Sequence, residues 1–149
     1  MSRKYFCRYT VELVKEDECK YKGKIATQKD AYDKFVEVFK LDKKAEEHFV
    51  LFCLDCKNQI IGAFLISKGG INFSNVNICD IIKRALLCNS TKIILAHNHP
   101  SGKLDESSAD IITTKKIIEA CNTMNIELLD HLIITDESFK SLREKVILN

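Results

Sequence analysis

With 149 residues, 46% of them apolar and 30% charged, and a formal net charge of +2, the chain has the make-up of one ordinary globular domain. One proline and five glycines exclude a linker or low-complexity chain, and an odd count of seven cysteines argues for reduced thiols over a disulfide framework. No stretch approaches the roughly 18 apolar residues of a membrane span, and the opening MSRKYFCRYTVELVKEDECK lacks a signal-peptide core, so a cytoplasmic protein is expected.

In chain order, YFCRYTVELV (5–14) alternates and predicts a strand at the edge of a sheet. Residues 15–26 are charged and read as a loop. Thr27-Gln-Lys-Asp30 has the form of a capping box, followed by Ala31, Phe35, Val38 and Phe39 at helical spacing. Residues 1–45 hold 12 Lys/Arg against 8 Asp/Glu, which reads as a solvated basic face. Two apolar runs, HFVLFCLD and QIIGAFLIS, flank Lys57-Asn58 and predict a hairpin. Cys53 and Cys56 lie in HFVLFCLDC, read as a buried strand, where three residues apart they face opposite ways, so packing rather than metal binding is expected of them. Gly69-Gly70 mark a turn or bulge.

Asn77 can cap a helix striped by Ile78, Ile81, Ile82, Ala85 and Leu86. KIILAH is then a short apolar strand running into His97. After a polar loop, a helix from about Ser107 carries Ile111, Ile112, Ile118 and Cys121 on its inner side. IELLDHLIIT is a further strand, and the tail holds one helical turn plus VIL. Strands interleave with helices, which predicts a central sheet packed between helices.

The densest chemistry lies in AHNHPSGKLDESSAD. Two histidines at i and i+2 on a strand point to one side, about 6–7 Å apart along the chain. Pro100 and Gly102 turn the chain, and Ser107 starts a helix that puts Asp110 in its first turn. Two imidazoles and a carboxylate make three metal ligands and leave a fourth tetrahedral position for water, the pattern of a catalytic zinc site. His₂Asp also accepts other divalent ions. Ser107 and Asp110 equally suit an N-cap and a first-turn acid, and the two roles are compatible.

His97-x-His99, ten further residues and Asp110, with Ser107 three before it, resemble the motif of the JAMM (JAB/MPN) metalloproteases. The HNHPSG run and the later Leu129-Asp130-His131 resemble the RadC-like branch of that family, over roughly residues 46–142. The resemblance implies an α/β (α+β) fold, a cytidine-deaminase-like α-β-α sandwich with a central mixed sheet. It implies residues 46–149 as the RadC-like domain, with residues 1–45 an N-terminal extension of strand, loop and helix packed on it. It further implies one zinc per chain on His97, His99 and Asp110, a general base at Glu47 (Glu46 as fallback), and Ser107 as hydrogen-bond donor to the developing oxyanion. Asp130 and His131 are implied to stand near the site. The chain departs from the RadC pattern at Glu106, Gly69-Gly70, Asn77-Ile78 and Thr135, and residues 1–45 do not read as the helix-hairpin-helix segment of longer RadC proteins.

The expected activity is hydrolysis of an amide or isopeptide bond in a peptide or related substrate by a zinc-activated water. The alternative is a DNA-repair or mobile-element accessory protein that uses the metal domain as a scaffold without turnover. The modest charge speaks against strong nonspecific nucleic-acid binding. His97-Asn98-His99 is not an HNH nuclease motif, and the H-x-E with P-C-x-x-C of nucleobase deaminases does not occur.

Overall fold

A computed structural model of the chain describes residues 5–20, 23–69 and 76–148. Helix α1 (Gln28–Phe39) begins at the Thr27–Asp30 capping box, with both reciprocal hydrogen bonds present, and ends where Lys40 turns left-handed at φ 53°. A short 3₁₀ turn, Leu41–Lys43, leads to the hairpin of β1 (His48–Leu54) and β2 (Ile60–Lys68). Helix α2 (Ile78–Leu87), capped by Asn77, precedes β3 (Lys92–Asn98). Helix α3 (Ser108–Thr123) then leads to β4 (Glu127–Ile134), the short β5 (Phe139–Ser141) and a final helical turn over Arg143–Ile147.

The five strands form one sheet in the order β2-β1-β3-β4-β5. Only β3 and β4 run parallel, joined through α3, so the fold is α+β with a mixed sheet. Alternation along the strands divides the core. Val50, Phe52, Leu54, Ile94, Ala96 and Leu132 face α1, where Phe35 stacks on Phe52 at a 4.0 Å centroid separation. Phe49, Leu51, Cys53, Ile93 and Leu95 face Ile81 and Ala85 of α2 and Ile117 and Cys121 of α3. The sheet is thus covered on both sides, as the interleaving of strands and helices predicts.

Several local expectations need correction. Residues 5–14, expected as an edge strand, form none. Tyr5, Phe6, Tyr9, Val11 and Val14 are each at least 72% exposed. Alternation supplies strand propensity, but a strand exists only when a neighbour takes its backbone hydrogen bonds. In α2, Leu86 lies outside the stripe at 45% exposure, and in α3 Ile112 is exposed while Thr114 is buried. Phasing α3 from Asp110 gives the observed inner row of Asp110, Thr114, Ile117 and Cys121. Cys56 is exposed in the hairpin turn beyond β1, whereas Cys53 is in the core. Gly69 is left-handed at φ 73°, while Gly70 falls outside the described residues. Among the described residues no helix is long and apolar enough to cross a membrane.

Candidate metal centre

The C-terminal end of β3 meets the N-terminus of α3, and both local structures are dictated nearby in sequence. His97, the last but one residue of β3, faces α3 and is fully buried, whereas His99, one step past the strand, is partly exposed. Their Nε2 atoms stand 3.0 Å apart. Between His99 and Ser107 the chain turns through Gly102, whose φ of 77° is one that β-carbon-bearing residues rarely adopt. The Nδ1–H of His99 donates to the Lys103 carbonyl at 2.8 Å, which leaves Nε2 as a lone-pair donor directed at the cluster.

Ser107 and Asp110 form the capping box of α3. Ser107 Oγ accepts from the Asp110 amide at 3.1 Å, and Asp110 Oδ2 accepts from the Ser107 amide at 2.7 Å. The box orients the carboxylate and occupies only one of its oxygens. Asp110 Oδ1 is buried with no hydrogen-bond partner. It lies 3.6 Å from His97 Nε2, while Oδ2 lies 3.7 Å from His99 Nε2. Ligand atoms from all three residues fall within 4.8 Å of one another. A buried carboxylate oxygen without a donor is costly. Together with two imidazole nitrogens it makes a hard-to-borderline N₂O donor set, so the three residues fit a divalent metal ion.

The antiparallel register of β1 on β3 pairs Phe49 with His97, so the residues just before β1 lie beside the end of β3. Glu47 is half-buried there, and burial raises its carboxyl above the ordinary glutamate range, with His99 opposing that shift and Asp110 adding to it. Glu47 therefore shares its electrostatic surroundings with the cluster. Glu46 is exposed and lies beside Gly69.

Asn98, passed over in reading the sequence, ties this edge down. It points to the opposite face from His97, accepts from the His48 amide at 2.7 Å, and donates to the carbonyls of Glu46 at 2.9 Å and Lys44 at 3.3 Å. The signal was present, because the residue between two strand histidines must face the other side. A cavity of about 340 Å³ opens beside His99, lined among others by Leu41, Lys44, Pro100, Ile134 and Asp136.

His131 and Asp130 separate. His131 lies behind His97, with its Nε2 2.7 Å from His97 Nδ1 and its Nδ1 2.7 Å from Thr114 Oγ1. Burial holds both imidazoles well below the usual histidine range. Asp130 instead accepts from Ser141 Oγ and the His131 amide and lines a different cavity with Arg143 and Thr27.

Residues 25–147 match the family model of the RadC-like JAB domain. The chain is 37% identical over 124 residues to a UPF0758 protein of Methanosarcina barkeri, covering 83% of this chain and 53% of that protein. It is 39% identical over 124 residues to one of Methanosarcina acetivorans, with the same coverage. It is 45% identical over 101 residues to one of a Geobacillus species, covering 68% of this chain and 45% of that protein. The chain spans about half the length of these curated relatives.

Proposed function

Since this chain belongs to the family of RadC-like JAB domains, we propose that it is a zinc-dependent hydrolase of JAMM type, cleaving an amide or isopeptide bond with one zinc held by His97, His99 and Asp110. The observation that carries this reading is Asp110 Oδ1, a buried, partnerless carboxylate oxygen turned toward the ring nitrogen of His97. Bound zinc supplies Lewis acidity, which lowers the pKa of a water it holds to about 7.

The other tasks fall to this chain's side chains. Glu47 is the general base. Its carboxylate is half-buried, with His99 and Asp110 as its charged neighbours, and a carboxylate so placed can accept a proton from the attacking water. The proton it takes from the attacking water goes on to the leaving nitrogen. The water oxygen thus becomes bonded to the carbonyl carbon as the carbon–nitrogen bond breaks. Ser107 Oγ accepts from the Asp110 amide and keeps its own O–H to donate to the substrate oxygen as negative charge builds there. Asn98 holds the backbone around Glu47 in place, and the cavity beside His99 gives the substrate chain room.

The test is metal analysis joined to turnover. The wild type should carry about one zinc per chain, and His97→Ala, His99→Ala and Asp110→Ala should each lose most of it. Full zinc content in the His97→Ala/His99→Ala double variant would refute the site. A wild type that binds zinc yet turns over no member of a broad peptide and isopeptide panel would favour a scaffold.

A further inference from the structure

The second histidine layer behind the cluster has a direction that can be read from its protons. Thr114 Oγ1 lies 2.6 Å from the carbonyl oxygen of Asp110, one helical turn back. A carbonyl has no proton to give, so the single hydroxyl proton of Thr114 goes to it. The 2.7 Å contact of Thr114 Oγ1 with His131 Nδ1 is then made by the ring N–H donating to the hydroxyl oxygen. With Nδ1 protonated, neutral His131 has only a lone pair on Nε2. The 2.7 Å contact with His97 must therefore be a donation from His97 Nδ1–H. In a neutral His97 ring this leaves the lone pair on Nε2, the atom that faces Asp110 Oδ1 and His99 Nε2.

We propose that His131, oriented by Thr114, is a positioning residue that fixes His97 in the tautomer able to bind metal. The inference rests on the reading of His97, His99 and Asp110 as metal ligands. The relay starts at the Asp110 backbone and ends opposite the Asp110 side chain, so the helix that delivers the carboxylate also sets the proton on the imidazole. Packing holds the rings in place. Phe49 lies parallel to His97 at 6.1 Å between centroids and edge-on to His131 at 5.2 Å. His99 reaches the same tautomer by another route, its own donation to the Lys103 carbonyl. Only His97 depends on a second histidine.

Two kinds of measurement test this. The chain has only four histidines, so nitrogen-15 NMR of the metal-free wild type can assign each ring. His97 and His131 should both carry the proton on Nδ1, and a His97 protonated on Nε2 overturns the relay. Zinc affinity is then measured by competition with a chelator. His131→Leu removes the acceptor and should weaken zinc binding about 10–100-fold, the usual scale for losing an outer partner of a ligating histidine. His131→Gln restores a carbonyl acceptor and should recover much of that loss. Thr114→Val should shift His97 toward a mixture of tautomers.

Equal zinc affinity in a folded His131→Leu variant, or Gln no better than Leu, would reduce His131 to a packing residue. Should His131→Leu not fold, the wild-type tautomers and Thr114→Val decide. A wild type without zinc affinity refutes the proposed function, while the tautomers still confirm or overturn the relay on their own.

Discussion

Replacing Glu47 by Gln keeps the side chain's size and removes its basic oxygen. Zinc content and melting temperature should change little, while any hydrolytic turnover should fall by about 10²-fold or more. Wild-type turnover in Glu47→Gln would move the base elsewhere, with the exposed Glu46 the next residue to test. Ser107→Ala should have a mixed signature, because Ser107 Oγ also caps α3. It should cost roughly 1 kcal/mol of stability and up to roughly 3 kcal/mol in transition-state stabilisation. A purely kinetic effect would mean the cap contributes nothing.

Asp130 gives a pH test outside the His97–His99–Asp110 cluster. Burial raises its carboxyl above the ordinary 3.8, against the opposing hydrogen bonds of Ser141 and the His131 amide and the charge of Arg143. Between about pH 4 and the raised folded value, the folded state holds a proton that the unfolded state has released. Stability therefore falls as pH rises through that window and levels off above it. In metal-free protein, denaturant unfolding should show wild type losing stability relative to Asp130→Asn across that rise. A wild type that gains on the variant there contradicts the assignment.

Among the elements, β2 approaches the end of α2 closely at Gly62. A β-carbon on Gly62 would stand 2.7 Å from Cys88 Sγ and 3.0 Å from the Phe64 ring. Both neighbours would have to shift, so Gly62→Ala should destabilise by about 1–3 kcal/mol. Cys88→Ala removes the nearer obstacle, and the double variant should recover part of the loss. The measurement is a double-mutant cycle of unfolding free energies. Strict additivity would place the strain elsewhere, at Phe64. The turn leading into this strand shows why the hairpin forms at an unremarkable Lys-Asn pair. Asn58 adopts φ 63°, a conformation asparagine tolerates, and Asp55 Oδ1 accepts from the amides of Lys57 and Gln59.

At the scale of the whole molecule, the cluster lies on the α3 side of the sheet, where Phe49 packs against His97. The α1 side of the sheet packs through Phe35, Leu41, Phe52 and Leu132 with no residue of the cluster among them. Removing metal with a chelator should therefore lower the melting temperature while leaving the far-ultraviolet circular dichroism intact. The loss should approach about 2.7 kcal/mol when free zinc had stood at 100 times its dissociation constant. Collapse of all secondary structure on chelation would instead make the ion a structural one.

Local regularities in the sequence determined much of this protein. The i, i+2 histidines, the glycine turn and the Ser107–Asp110 box span fourteen residues, and strand alternation and helix capping suffice to converge their side chains. The caps at Thr27 and Asn77, the hairpin and the covered sheet follow from the same short-range rules. Glu47 entered only through resemblance, since no local pattern marks an acid before a strand as facing a site 50 residues further on. The tertiary structure alone decided what depends on pairing between distant segments. The β1–β3 register sets Glu47 and Asn98 beside the cluster, and the β3–β4 register with the phase of α3 puts His131 and Thr114 behind His97. It also decided that residues 5–14 stay unpaired despite their alternation. Periodicity reports which face of an element is apolar. Which element lies opposite is set by the backbone hydrogen bonds and packing of the assembled sheet.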